Sequence, residues 1–180
     1  MLDSVSNNIK GEVHFYTRGA GDKDFKFESK HNLVVVSSRK IMRDLVLGKD
    51  EQQRPAPTIT YLGLGDMNLT LDQANIQVPQ VNINDTELVH PTFWVPVEDT
   101  NFPNNSKTHT TMPNTGNPAV KYTFYLSRQQ ANTTSGFFCE LGLAINYNTY
   151  PTEYLFTKLN RPPLVKTDND EIIINYYLAF

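Results

Sequence analysis

Residues 136–180 constrain the fold more than any other stretch, because two apolar runs within them alternate with a period of two. In IIINYYLAF, Ile172, Ile174, Tyr176, Leu178 and Phe180 share one face, and Ile173, Asn175, Tyr177 and Ala179 make a mixed second face. In FFCELGLAI, Phe137, Cys139, Leu141, Leu143 and Ile145 alternate with Phe138, Glu140, Gly142 and Ala144 in the same way. With the segment between them, the region reads as three strands joined by turns. Frayed termini are normally polar, so a last strand this apolar is expected to be held inside a sheet.

The rest of the chain adds strands and one helix. Val13, Phe15 and Thr17 alternate with polar neighbours, GAGD supplies turn residues, and Phe25 and Phe27 mark a return strand, which together predict a hairpin. A helix is predicted over 38–47. Ser37 is its N-cap, Val36 and Ile41 form a hydrophobic staple, Ile41, Met42 and Leu45 form the buried stripe, and Gly48 is the C-terminal cap. After the polar linker KDEQQRPAPT, ITYLGLGD reads as a strand around Ile59, Tyr61, Leu62 and Leu64, with Gly63 and Gly65 allowing a tight exit. Residues 67–81 read as loop. The stretch 86–97 reads as an irregular strand interrupted by Pro91 and Pro96, which puts it at a sheet edge. Residues 98–118 are the longest polar segment, and AVKYTFYL restores alternation through Tyr122, Phe124 and Leu126. SRQQANTTSG then reads as a long hairpin loop. The expected fold is mainly β: an antiparallel β-sandwich of about seven or eight strands with one short α-helix packed on it and long polar loops. All of 1–180 forms a single domain, with an extended loop insertion at about 98–118.

Composition narrows the function classes. A chain of 180 residues suffices for one domain with a sizeable core. A net charge of −3 argues against nucleic acid as a partner, which would require a basic stripe. One cysteine excludes an intrachain disulfide framework. No signal-peptide pattern opens the chain and no apolar run is long enough for a membrane helix, so no membrane partner is expected.

Residues able to do chemistry are scattered. His14, His31, His90 and His109 show no metal-ligand spacing, and no metal or cofactor is expected. Surface or hydrogen-bonded core histidines account for them. Cys139 alternates with large apolar residues and reads as a buried, inert thiol, with Glu140 pointing to the opposite face. Asp22, Asp24, Asp66, Asp168, Asp170 and Glu171 fall mainly at turns, where carboxylates are usually solvated. Gly63-x-Gly65 is too short for a dinucleotide fingerprint, and no nucleophile-elbow or phosphate-loop motif occurs. No catalytic residue is assigned, and the chain is expected not to be an enzyme.

Several segments together resemble a loose class of tailed-bacteriophage virion proteins found in tail-fibre, baseplate and collar components. These are the N-terminal hairpin leading into HNLVVVSSRKIMRDLVLG, then ITYLGLGD, VKYTFYL with GFFCELGLAI, and EYLFTKLNRPPLVKTDNDEIIINYYLAF. Residues 66–118 lie outside the resemblance. It implies a β-sandwich core, no active site, and a structural subunit of the virion assembled in the host cytoplasm. The implied partners are other copies of the chain and neighbouring virion proteins. Recognition is then expected in loop 98–118, with Phe102 as an apolar anchor, Asn104 and Asn105 beside it, and His109 at the rim. The alternative is a carbohydrate-binding module of a receptor-binding fibre, in which Trp94, Tyr147 and Tyr150 stack on a host surface glycan. Against that, Trp94, flanked by Phe93 and Val95, also reads as partly core.

Overall fold

The computed structural model describes residues 10–35, 37–49, 53, 58–76, 78–146 and 155–179. Nine strands and two helices follow in the order β1 (Lys10–Arg18), β2 (Lys26–Val34), α1 (Ser37–Leu47), β3 (Thr58–Gly65), α2 (Leu71–Ile76), β4 (Pro91–Pro96), β5 (Ser106–Thr111), β6 (Pro118–Leu126), β7 (Phe137–Asn146), β8 (Thr157–Val165) and β9 (Glu171–Ala179). They hydrogen-bond in the spatial order β4-β3-β7-β8-β2-β1-β9-β6-β5. Every pairing is antiparallel.

The sheet is continuous by hydrogen bonding but consists of two wings. β2 and β8 share only Leu33↔Lys158 and Val34↔Thr157, whereas β1 and β9 pair along their whole length. Beyond that narrow joint the wings separate, and their inner faces build one core. Val13, Phe15, Phe124, Ile172, Ile174, Tyr176 and Leu178 come from the five-strand wing; Leu62, Leu64, Leu141, Leu143, Ile145 and Leu159 come from the four-strand wing. This is the expected mainly-β, sandwich-like arrangement, with nine strands among the described residues where about seven or eight were expected. On β9 the alternation holds: Ile172, Ile174, Tyr176 and Leu178 are fully buried, while Phe180 lies outside the described residues.

The helix α1 ends as expected. Gly48 adopts φ +70°, and the Lys49 N–H donates to the Asp44 carbonyl at 3.1 Å, the long bond of a Schellman cap. Ile41 is buried in the main core and Met42 packs partly against it. The expected staple residue Val36 and the side chains of Ser37 and Leu45 lie outside the described set, as does most of the 49–58 linker.

Besides SRQQANTTSG, which joins the two wings rather than a hairpin because β6 and β7 do not pair, four expectations are corrected. First, residues 67–81 are not all loop, because α2 occupies Leu71–Ile76. Its start is a capping box: the Thr70 N–H donates to Gln73 Oε1 at 2.9 Å and the Gln73 N–H to Thr70 Oγ1 at 3.3 Å. Second, the 98–118 stretch contains β5, an edge strand whose mostly exposed sequence SKTHTT carries no apolar alternation to announce it. Third, Pro91 and Pro96 bound β4 rather than interrupt it, although β4 is the expected edge strand. Gly65 is the last residue of β3 and directly precedes its tight exit, as expected, while Gly63 lies inside the strand.

The fourth correction concerns β7. Leu141, Leu143 and Ile145 join the main core together with Phe138, whereas Phe137 and Cys139 pack with Met67 and Ala74. The cause is a register shift. Phe138 pairs with Leu164 and Glu140 with Asn160, so Arg161, Pro162 and Pro163 of β8 together oppose Cys139. The ladder is interrupted and the strands bend there, which lets β7 turn its faces between Phe138 and Leu141. Two prolines fit there because β8 has already parted from β2 and needs no ladder donor on that side. Burial first, then the charges of Glu140 and Asp66, push the Cys139 thiol up to about 12, which keeps it protonated and unreactive.

Candidate functional site

β3 and β4 pair antiparallel, so the residue that leaves β3 and the residue that enters β4 must lie side by side. These are Asp66 and His90. Leaving β3, the chain turns through Met67 and Asn68, both at positive φ (57° and 55°), while the Leu69 N–H bonds the Asp66 carbonyl at 3.1 Å. Two successive left-handed residues make a mirror-type tight turn, which is costly for a methionine. Burial of Met67 against Phe137, Cys139 and Ala74 offsets that strain.

His90 Nδ1 lies 2.7 Å from Asp66 Oδ1, and the Asn68 N–H donates to the same oxygen at 2.9 Å. Burial raises the Asp66 carboxyl, but the bonds from His90, Asn68 and Ser135 outweigh it and hold it below the ordinary aspartate value. An ionised carboxylate only accepts, so the Nδ1–H donates and Nε2 is left for a ligand. No described residue hydrogen-bonds Nε2. The His90 side chain is 51% exposed and that of Asp66 10%. Together with Pro91, Thr92, Phe93 and residues 132–135 they line a cleft of about 380 Å³.

A buried ionic group supports this cleft from below. Glu140 is fully buried; its carboxylate accepts the Val89 N–H at 2.9 Å and the His90 N–H at 2.7 Å. Lys158, also buried, lies 3.6 Å from Glu140 and 3.4 Å from Asp85, and donates to the Glu87 carbonyl at 3.0 Å. Gly65 makes the arrangement possible: a Cβ there would lie 2.5 Å from both Glu140 Oε1 and the His90 carbonyl oxygen.

The residues expected to form one recognition patch are dispersed. Phe102 and Asn104 line a smaller pocket of about 190 Å³ with Pro103, Tyr125, Ser127 and Gln130. Phe102 is half-buried and packs on the main core. Asn105 is buried and acts as a brace, donating to the Pro96 carbonyl at 2.7 Å and accepting the Tyr125 N–H at 2.8 Å. His109 is exposed on β5 but pairs with Val120, which places it on the inward-facing side of the wing. Trp94 is half-buried over Gly63, packed with Leu88 and Tyr61, so most of its ring is used in packing. Tyr147 and Tyr150 lie outside the described residues.

A sequence-level signal for the Asp66–His90 pair existed. One residue directly follows a strand and the other directly precedes the next, 24 positions apart. Reading it requires knowing that those two strands pair. Among the described residues no cluster of three or more His, Cys, Asp or Glu is placed to hold a metal. The described residues thus form an antiparallel, two-wing β-protein with a partly open carboxylate–histidine cleft. No family model, curated protein or solved structure matches the chain.

Proposed function

We propose that this chain is a non-catalytic structural subunit of a bacteriophage virion, a tail, collar or fibre-attachment component that works through contacts with other copies of itself and with neighbouring virion proteins. The observation that carries the contact surface is a row of side chains on the outer face of the five-strand wing. Register places Phe27, Tyr16, Ile173 and Tyr125 side by side across β2, β1, β9 and β6. Phe27 is 58% exposed and the other three are half-buried. The row runs into the pocket lined by Phe102 and Asn104. An aromatic-rich stripe with a pocket at its end supplies the anchors on which interfaces depend. β5 ends the strand order with β6 as its only strand partner among the described residues, an edge where a neighbour's strand can pair.

The site differs from the one read in loop 98–118 alone, and so does its test. Phe102→Ala would lower stability as well as binding, because Phe102 packs on the core. Phe27→Ser with Asn104→Ala alters exposed positions instead. Sedimentation of the purified chain, and its incorporation into particles, should show an assembly that this double variant loses while it still unfolds cooperatively. Particles that incorporate the variant normally would refute the surface, and a chain absent from purified virions would refute the role.

A further inference from the structure

The cleft between the start of β4 and the β6–β7 turn offers more than shape. We infer that it binds a single neutral hydroxylated ring, a pyranose or comparable polyol, with the His90 imidazole as the directional contact. Its volume of about 380 Å³ lies in the range of small-ligand sites and holds one such ring with room to spare.

Charge selects the ligand class. Asp66 is answered by His90, and Glu140 by Lys158 and two backbone N–H groups. Lys166, which holds the opposing turn, is buried and donates to Asn132 Oδ1 at 2.6 Å and to the Thr167 carbonyl at 2.8 Å. Each of these charged groups is already hydrogen-bonded within the protein, which favours a neutral ligand over an ion. The cleft is lined by His90, whose Nε2 accepts, and by Thr133 and Thr134, whose hydroxyls both donate and accept, so the lining offers both partners that a sugar hydroxyl needs. Pro91 and Phe93 give the wall against which the C–H face of a ring can lie.

The site is also held in place before any ligand arrives. Asp66 fixes the tautomer and the plane of His90. The opposing turn is tied at three points: Ala131 is buried in the core, Lys166 holds Asn132, and the Lys166 N–H donates to the Gly136 carbonyl at 2.9 Å. Polar groups that need no reordering lose little entropy on binding. This site lies on the four-strand wing, away from the aromatic row, so it stands or falls separately from the assembly role.

The test is a titration of the isotope-labelled full chain by two-dimensional NMR. The probes are the methyl glycosides of glucose, galactose, N-acetylglucosamine and rhamnose, with sialic acid and magnesium ion as charged probes. At least one neutral glycoside should shift resonances confined to residues 66–68, 90–93 and 132–135. His90→Ala should weaken that binding by about tenfold or more, the value of one directional hydrogen bond. Thr134→Val, at an exposed position, should weaken it several-fold and serves as the reporter if His90→Ala alters the fold. The inference is overturned if no neutral glycoside shifts these residues. It is equally overturned if the shifts fall on Phe27 and Tyr16, if a charged probe binds more tightly, or if the folded variants bind as the parent does.

Discussion

Two carboxylate–histidine pairs of nearly equal length sit on opposite wings, and their surroundings give them different uses. On the five-strand wing, His14 Nε2 meets Glu12 Oε1 at 2.8 Å, with side chains 8% and 2% exposed. Ser29 and Asn114 add donors to the same carboxylate, Phe27 stands edge-on to the His14 ring at 5.1 Å, and Tyr177 lies against it at 4.9 Å. On the four-strand wing the Asp66–His90 pair is 2.7 Å long, and half of the histidine faces the cleft. The chemistry is the same and the cover is not. Where Tyr177, Phe27 and Asn114 close over the pair, it can only hold the fold; where half of the histidine stays open, Nε2 can meet a ligand. Asn114, from the β5–β6 hairpin, completes the sealed pair, so part of the loop expected to recognise partners is used to close the molecule's own surface.

Removing the frame of the sealed pair should have the largest effect. Deleting 171–179 takes away Tyr177 and four fully buried side chains, Ile172, Ile174, Tyr176 and Leu178. At about 1.5–3 kcal/mol each, their loss is comparable with the whole stability of a domain of ~5–15 kcal/mol. The truncated chain should show no cooperative unfolding by calorimetry. A sharp melt would mean that β9 is not the frame.

A smaller effect separates the two pairs directly. Glu12→Ala leaves buried donors of His14, Ser29 and Asn114 without an acceptor and should cost about 3–5 kcal/mol in urea unfolding. His90→Ala removes a half-exposed partner and should cost under about 1 kcal/mol. Equal losses would show that the cleft pair is as structural as the sealed one.

The smallest effect is in acid. Burial works against ionised Glu12, but the bonds from His14 and Ser29 prevail and its carboxyl stays below the ordinary value, as does that of Asp66. A carboxylate depressed in the folded state contributes stability that is complete above its unfolded pKa and is lost as pH falls through the folded one. Unfolding free energy measured from neutral pH downward should therefore fall, and Glu12→Gln and Asp66→Asn should each flatten that fall. His90→Ala removes one of the bonds that depress Asp66, so the Asp66 share should begin to disappear at a higher pH. A carboxyl titration by NMR would read that displacement residue by residue, and an unmoved Asp66 would deny His90 its part in the depression.

Much of the frame was legible before the fold was known. The period-two runs of β6 and β9, the first hairpin and the Gly48 cap all follow from local rules, because apolar alternation and a left-handed glycine are properties of neighbouring residues. Three elements were harder to read for identifiable reasons. β5 is an edge strand with little to bury, so SKTHTT carries no apolar pattern. α2 is a six-residue helix that buries only Ala74, and its capping box was the single sign of it. At the β8 bulge, Phe137, Phe138 and Cys139 take the faces opposite to those that alternation alone assigns.

The sequence by itself determined which residues must leave water, and with them a β-rich chain closing on an apolar strand. Only the tertiary structure decided which charges meet. Glu140 with Lys158, Arg161 with Glu28 across the joint of the wings, and Asp66 with His90 are each brought together by strand pairing and wing packing. Burying an apolar side chain is favourable against almost any apolar neighbour, so its pattern can be read along the chain. A buried charge is tolerated only beside a particular partner, and that partner is chosen by register.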